Sequence, residues 1–311
     1  MVPVVEAVPN FSEGRDPGFV SEVARRFSRT GCEVLHTTSD PDHNRSVVTV
    51  VGPPEAVEDG AVEAARFAHR HIDLRAHRGV HPRIGALDVL PFVPLAGMDM
   101  SQAAKMARRA GGRISRLGVP VYLYGMASRP PGRGLASIRR GGFEALVAEE
   151  PTGRPPADFP GVDENGKPAH LFAHPTAGGA CVGARRVLLA WNVDVEGVSL
   201  EEAGKVASGI RESGGGFRGL RALALFLPGQ GRTQISMSLE TPDETGPMEV
   251  FAAIESGVER LGGRVVGTEV VGMAPDAITS VVAGAMAIRD WSTDRILSRR
   301  VAAYVGTDPM A

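Results

Sequence analysis

An α+β chain made of two similar sandwich-like halves is the fold that three observations predict. Short β-branched apolar runs alternate with stretches of helical spacing. The order strand, helix, strand, strand, helix, strand occurs in both halves. A proline- and glycine-rich stretch, 128–179, stands between them. That order is the ferredoxin-like split βαβ pattern. With 311 residues the chain exceeds one ordinary core and fits two domains of roughly 100–200 residues. The expected division is an N-terminal subdomain over 1–180 and a C-terminal subdomain over 181–311, with a ligand groove between them.

In the first half, Val4 to Val8 reads as a strand. Pro17 to Thr30 reads as a helix, with Asp16 as N-cap and Pro17 in the first turn. Gly31 stops it, and Cys32 to Thr37 is the next strand. Ser46 to Val51 is β-branched and strand-like. Pro54 to His71 has Val57, Ala61, Ala64, Ala65 and Ala68 at helical spacing. Leu87 to Val93 is a strand, Ser101 to Leu117 a helix, and Val119 to Tyr124 a strand.

Residues 128–179 read as a long connection with one short helix near Gly142 to Glu149, the kind of length that is functional or a linker. The rhythm then restarts. Cys181 to Asn192 is a strand and Leu200 to Ser213 a helix. Leu220 to Leu227 and Thr233 to Leu239 are strands around a GQGR turn. Thr245 to Leu261 is a helix, Val265 to Glu269 a strand, and Asp276 to Arg289 a helix.

Composition narrows the function classes. A net charge of −2 gives no global basic field for nucleic acid, so an anionic ligand needs a local arginine cluster. Two cysteines, Cys32 and Cys181, make no disulfide framework and no CxxC zinc pair. No apolar run approaches the ~18 residues of a membrane span, and MVPVVEAVPNFSEGRD meets Glu6 and Asn10 too soon for a signal peptide, so a cytoplasmic protein is expected. The glycine clusters at 178–180 and 214–216 follow no nucleotide-binding spacing, and the second reads as a helix stop.

Three polar knots interrupt the elements. In AHRGVHPRIGALDVLPFVP (76–94), Pro82 restricts His81 to extended backbone and so aims its ring. A neutral imidazole suits a general base near pH 7, and Arg78 and Arg83 would favour that neutral form and could hold a carboxylate. A histidine that only caps a turn fits the same residues. His77 and His81 have the i, i+4 spacing of a metal pair, but Gly79 and Pro82 argue against a helix there. His69 and His71 suit a helix C-terminus. SDPDHNRS (39–46) gathers Asp40, Asp42, His43, Asn44 and Arg45 in one connection, as a binding loop or an ordinary Asx turn would. PNFSEGRD (9–16) places Asn10, Ser12, Glu13 and Arg15 where a strand hands over to a helix.

Together, VPNFSEGRD (8–16), DPDHNRSVVTVVG (40–52), HPRIGALDVLPFVP (81–94), PVYLYG (120–125), IRRGGFEAL (138–146), GGACVGARRVLLAWNV (178–193) and EVVGMAPDAI (269–278) resemble the glutamate formiminotransferase family. The resemblance runs in the same order over nearly the whole chain. It implies two ferredoxin-like subdomains, a homodimer and a folate site. The implied reaction moves a formimidoyl group from N-formimidoyl-L-glutamate to N5 of tetrahydrofolate, a co-substrate, without a metal. His81 falls on the family's general base and Asp40 on its assisting carboxylate. Substrate and folate contacts fall on Asn10, His43, Asn44, Arg45, Arg83, Gly178, Gly179 and Arg185. With the sequence stopping near 311, the helical cyclodeaminase domain that some members carry is expected to be absent. It departs from the family's wording at Leu90 and in the longer segment 158–180, which holds His170 and His174. Three other readings stand beside this one. They are a paralogue moving another one-carbon or amidine group, a metal-dependent amidine hydrolase using His77, His81 and a further histidine, and a folate-binding relative without turnover. Partners are expected to be small molecules, with no nucleic acid or membrane.

Overall fold

The computed structural model describes residues 2–148 and 154–306. Outside them lie the Glu149 end of the expected short helix and the outer bounds, 1 and 311, of the two expected domains. The chain forms two compact units, Met1–Arg186 and Val187–Ala311.

The first unit contains β1 (Val5–Ala7), β2 (Asn10–Phe11), α1 (Pro17–Arg29), β3 (Glu33–Asp40), β4 (Arg45–Gly52), α2 (Pro54–His71) and β5 (Leu87–Pro94). It continues with α3 (Met100–Ser115), β6 (Val121–Gly125), α4 (Leu135–Ile138), α5 (Gly142–Val147), β7 (Gly161–Val162), β8 (Pro168–His170) and β9 (Ala180–Ala184). Seven strands make one sheet. β1 and β2 succeed one another between β4 and β5, β3 flanks β4, and β9 lies between β5 and β6. The β1 to β5 pairings are antiparallel, whereas β9 runs parallel to both of its neighbours.

Local chemistry explains these elements. The Asp16 carboxylate accepts the Gly18 amide at 2.8 Å, which caps α1 as expected. Asp99 and Gln102 form a reciprocal capping box on α3. Helices α1 to α3 bury one stripe each against the sheet. Phe11, Phe27 and Phe92 are fully buried there, each contributing roughly 1.5–3 kcal/mol by burial alone. Beyond β5 the opposite sheet face is covered locally, where Tyr122, Tyr124 and Cys181 pack under Ile138 and Leu146 of α4 and α5.

The second unit contains β10 (Leu189–Glu196), α6 (Leu200–Ile210), β11 (Leu220–Leu227), β12 (Arg232–Leu239), α7 (Pro247–Glu259), β13 (Arg264–Val270), α8 (Ser280–Ala285) and α9 (Leu297–Val305). Its sheet has the order β11-β12-β10-β13, all antiparallel. Trp191, Phe251 and Ile254 anchor the core beneath α6 and α7.

Three expectations are corrected. The single strand Cys181 to Asn192 is two, β9 in the first unit and β10 in the second, separated by Arg185 and Arg186. The helix over Asp276 to Arg289 shrinks to α8, preceded by its N-cap Thr279, whose side chain accepts the Val282 amide. The long connection holds two short helices and a small hairpin, β7 with β8.

Candidate active site

Three loops, after β2, after β3 and after α2, are tied together by main-chain and amide bonds. Asp40 ends β3, and its carboxylate accepts the His43 amide at 2.7 Å, closing the turn into β4. Asn44 takes φ 47°, a left-handed value that asparagine tolerates. Its side chain accepts the Gly14 amide at 3.0 Å and donates to the Arg78 carbonyl at 3.1 Å. Its carbonyl accepts His77 Nε2 at 2.9 Å. Val80 donates to the Asp42 carbonyl at 3.0 Å. A Cβ on Gly79 would lie 2.3 Å from the His43 carbonyl oxygen, so only glycine permits this approach. The turn expected at 39–46 is present, and it carries the next segment through Asn44 and Asp42.

Beneath these loops sits a buried charge cluster. The Arg45 guanidinium, at the start of β4, donates to Asn10 Oδ1 from Nε at 3.1 Å and from a terminal nitrogen at 2.9 Å. It also reaches Asp88 at 2.7 Å. Asp88 is fully buried on β5. Its second oxygen accepts the Ile84 amide at 2.9 Å, and Arg139 donates to the oxygen that Arg45 uses. Burial alone would raise the Asp88 carboxyl, but Arg139 and Arg45 overcome it and hold the group well below the usual carboxylate range. Burial pushes the Arg45 pKa down, against the opposing effect of Asp88.

His81 stands over this cluster, half-buried, with its ring 5.6 Å from that of His43. Its Nδ1 lies 2.9 Å from the Pro82 carbonyl oxygen, which can only accept. That partner assigns the proton to Nδ1 and leaves Nε2 with its lone pair. Burial is the main cause of a pKa well below the ordinary histidine value, and Arg45, Arg139 and His43 push the same way. The charges that keep the ring neutral are therefore Arg45 and Arg139, not the flanking Arg78 and Arg83.

The remaining expected residues are less closely joined. Arg83 pairs with Glu144 of α5 at 2.9 Å. Gly178, at φ 67°, and Gly179 back the strand that follows His81: a Cβ on Gly178 would lie 1.9 Å from the Ile84 carbonyl oxygen, and the Gly179 amide donates to that oxygen at 2.9 Å. Arg185 follows β9, and its side chain interacts with Tyr124, which also neighbours Arg139. Its amide bonds the Phe92 carbonyl, four residues along β5 from Asp88, about 13 Å at strand spacing. There it faces buried Glu6, whose carboxyl burial raises to about 7 despite Arg185. His77 is buried and committed to the Asn44 carbonyl. His174 meets His69 and His170 edge to face at centroid separations of 4.6 and 5.0 Å, which fixes the 168–178 segment to α2. Among the described residues no group of three or more His, Cys, Asp or Glu is placed to hold a metal ion, and no helix is long and apolar enough to cross a membrane.

Asp88 and Arg139 are the residues that sequence reading missed. An aspartate inside the apolar run LDVLPFVP was the available signal, since charge in such a run is buried only when paired.

Comparison with known proteins adds an independent line. Residues 4–185 match the formiminotransferase domain, N-terminal subdomain, and residues 190–290 match the formiminotransferase domain. A glutamate formimidoyltransferase of Thermoplasma acidophilum is 36% identical over 306 residues, covering 96% of this chain and 97% of the relative. One from Streptococcus pyogenes is 35% identical over 280 residues, covering 88% and 90%. The formimidoyltransferase-cyclodeaminase of Sus scrofa is 38% identical over 284 residues; the match covers 88% of this chain but 51% of that protein. The chain thus spans about half the length of the bifunctional relatives.

Proposed function

The chain belongs to the formiminotransferase family, and on that premise we propose that it transfers a formimidoyl group from N-formimidoyl-L-glutamate to N5 of tetrahydrofolate, with His81 as general base. The observation that carries this reading is the state of His81. Its ring is neutral, its Nδ1 proton is engaged by Pro82, and Nε2 keeps its lone pair.

The chemistry follows from those groups. N5 attacks the amidine carbon, and His81 Nε2 removes the N5 proton as the new carbon–nitrogen bond forms. The tetrahedral centre collapses by breaking the bond to the glutamate nitrogen, which takes the proton back from His81 as it leaves. Asp40 faces the positive amidine in this reading and offsets its charge. Positioning of the two substrates accounts for much of the acceleration, roughly 7–11 kcal/mol in the best-oriented cases. Proton transfer and charge compensation are both supplied by side chains, so the scheme needs no metal.

The ferredoxin-like assignment is part of the same reading. It is supported by the order β11-β12-β10-β13 in the second unit, and by the first unit's order before β9 and β6 extend it. A homodimer working in the cytoplasm completes the proposal and rests on the family resemblance.

The test is one assay. Protein is mixed with tetrahydrofolate and N-formimidoyl-L-glutamate, and methenylfolate absorbance is read after acidification. Signal in the parent that vanishes in His81→Ala supports the reaction and the base. A parent without signal overturns it.

A further inference from the structure

From the buried cluster beneath His81 we infer that Arg139, together with Arg45, is the seat for a carboxylate of the group donor and sets specificity for an α-amino acid donor. The inference rests on the transfer reading above and adds to it the group that recognises the donor.

Charge balance is the first argument. Arg45 and Arg139 both donate to Asp88, so two guanidiniums share one carboxylate. Both arginine side chains are largely buried, at 11% and 15% exposure. The other groups beside Arg139 that could become anionic are Tyr124 and Cys181. Burial pushes the tyrosine up and the thiol up to about 12, so both stay neutral. Glu144, a surface carboxylate of α5, is taken by Arg83. One positive charge is left over in a poorly hydrated place, which is costly unless an anion completes it.

Hydrogen bonding is the second argument. Arg139 spends a terminal nitrogen on Asp88, and its buried Nε has no partner. A guanidinium with free donors presents the fork that matches a carboxylate. Backbone conformation holds it there. Arg139 is the C-cap of α4, and Gly141 and Gly142 follow at φ 78° and 68°, which turns the chain sharply into α5.

Location is the third argument. Asp88, which both arginines share, accepts the Ile84 amide three residues beyond His81 at 2.9 Å, and the charges of both arginines lower the His81 pKa. The base works where the amidine carbon meets N5. In a formimidoyl amino acid the α-carboxylate is attached to the carbon that bears the amidine nitrogen, so it lies close to the base. The carboxylates of a folate glutamate tail are separated from N5 by the whole aminobenzoyl arm. The donor's α-carboxylate therefore fits this seat and the folate tail does not.

The experiment is calorimetric binding of L-glutamate, the co-product, to the full chain, with 4-aminobutyrate, which lacks the α-carboxylate, as control. The parent should bind L-glutamate at least ~10-fold more tightly than 4-aminobutyrate, the discrimination expected when a buried charged group loses its partner. Arg139→Gln should abolish that preference and leave tetrahydrofolate binding within about twofold. Arg139→Lys keeps the charge but not the fork and should retain part of the preference, with thermal unfolding confirming that both variants fold. Unchanged glutamate binding in Arg139→Gln, no glutamate binding by the parent, or a loss confined to tetrahydrofolate would each overturn the assignment. Glutamate binding that follows Arg139 in a protein without turnover would retain the seat while the transfer reading fails.

Discussion

Arg45 and Asp88 meet at 2.7 Å at the ends of two strands that β2 separates, and the Asp88 carboxylate that joins them has no exposed surface. The pair does two things at once. It fixes the approach of the His81 loop through the Ile84 amide, and its guanidinium charge helps lower the His81 pKa. The base and its scaffold are thus one electrostatic object.

His81→Ala should lower turnover by roughly 10²–10⁴, the usual contribution of a general base, while tetrahydrofolate binding stays within a fewfold. Because the folded pKa of His81 lies well below 6.5, the acid limb of kcat/KM should fall below pH 6.5. A limb centred at or above 6.5 in a pH–rate profile would count against His81 as the base.

Asp88→Asn should destabilise the first unit by about 3–5 kcal/mol, because it leaves two buried guanidiniums without their counter-charge. Both tryptophans, Trp191 and Trp291, belong to the second unit. Urea unfolding should therefore be followed by far-ultraviolet circular dichroism. Adding Arg139→Met to Asp88→Asn should recover part of the loss, and an unimproved double variant would argue that charge is not the cause.

Glu6 carries a pH dependence of its own. Burial raises its folded pKa from 4.5 to about 7. A raised carboxyl stabilises the fold below the unfolded value of 4.5, and that stability is lost as pH rises to 7. A difference of this size corresponds to about 3 kcal/mol. Glu6→Gln should flatten the stability profile between pH 4.5 and 7, measured by denaturant midpoint across that range.

Gly79→Ala should separate the His43 and His81 loops, since the new methyl would lie 2.3 Å from the His43 carbonyl oxygen and 2.8 Å from Asn44 Cβ. Overpacking of this kind costs about 1–3 kcal/mol. The turnover number should fall with little change in the second unit's Trp191 fluorescence. A variant with parental kcat would show that the spacing of the two loops does not matter.

Most elements could be read from the chain because local chemistry decides them. Asp16 before Pro17 placed the start of α1, and the β-branched run from Ser46 placed β4. The strand at Cys181 was misjudged because apolar residues lie on both sides of Arg185 and Arg186, and only three-dimensional pairing shows that β9 belongs with β5 and β6. At the site, His81, Asn10 and Arg45 carried local signals. Arg139 lies in the family-like stretch IRRGGFEAL, but its role was not legible because its partner Asp88 is 51 residues away.

The position of β9 has a consequence for how the protein is made. β6 has β9 as its strand partner, and β9 fills the gap beside β5. A nascent chain can assemble β1 to β5 early, but β6 cannot join that sheet until residues 180–184 clear the ribosome. The half-built sheet then exposes the parallel edge of β5, an edge of the kind that invites pairing with other chains. The first unit should therefore need shielding through the synthesis of some fifty residues, and the second unit closes only when β13 arrives, since β13 pairs with β10 across two helices and two strands.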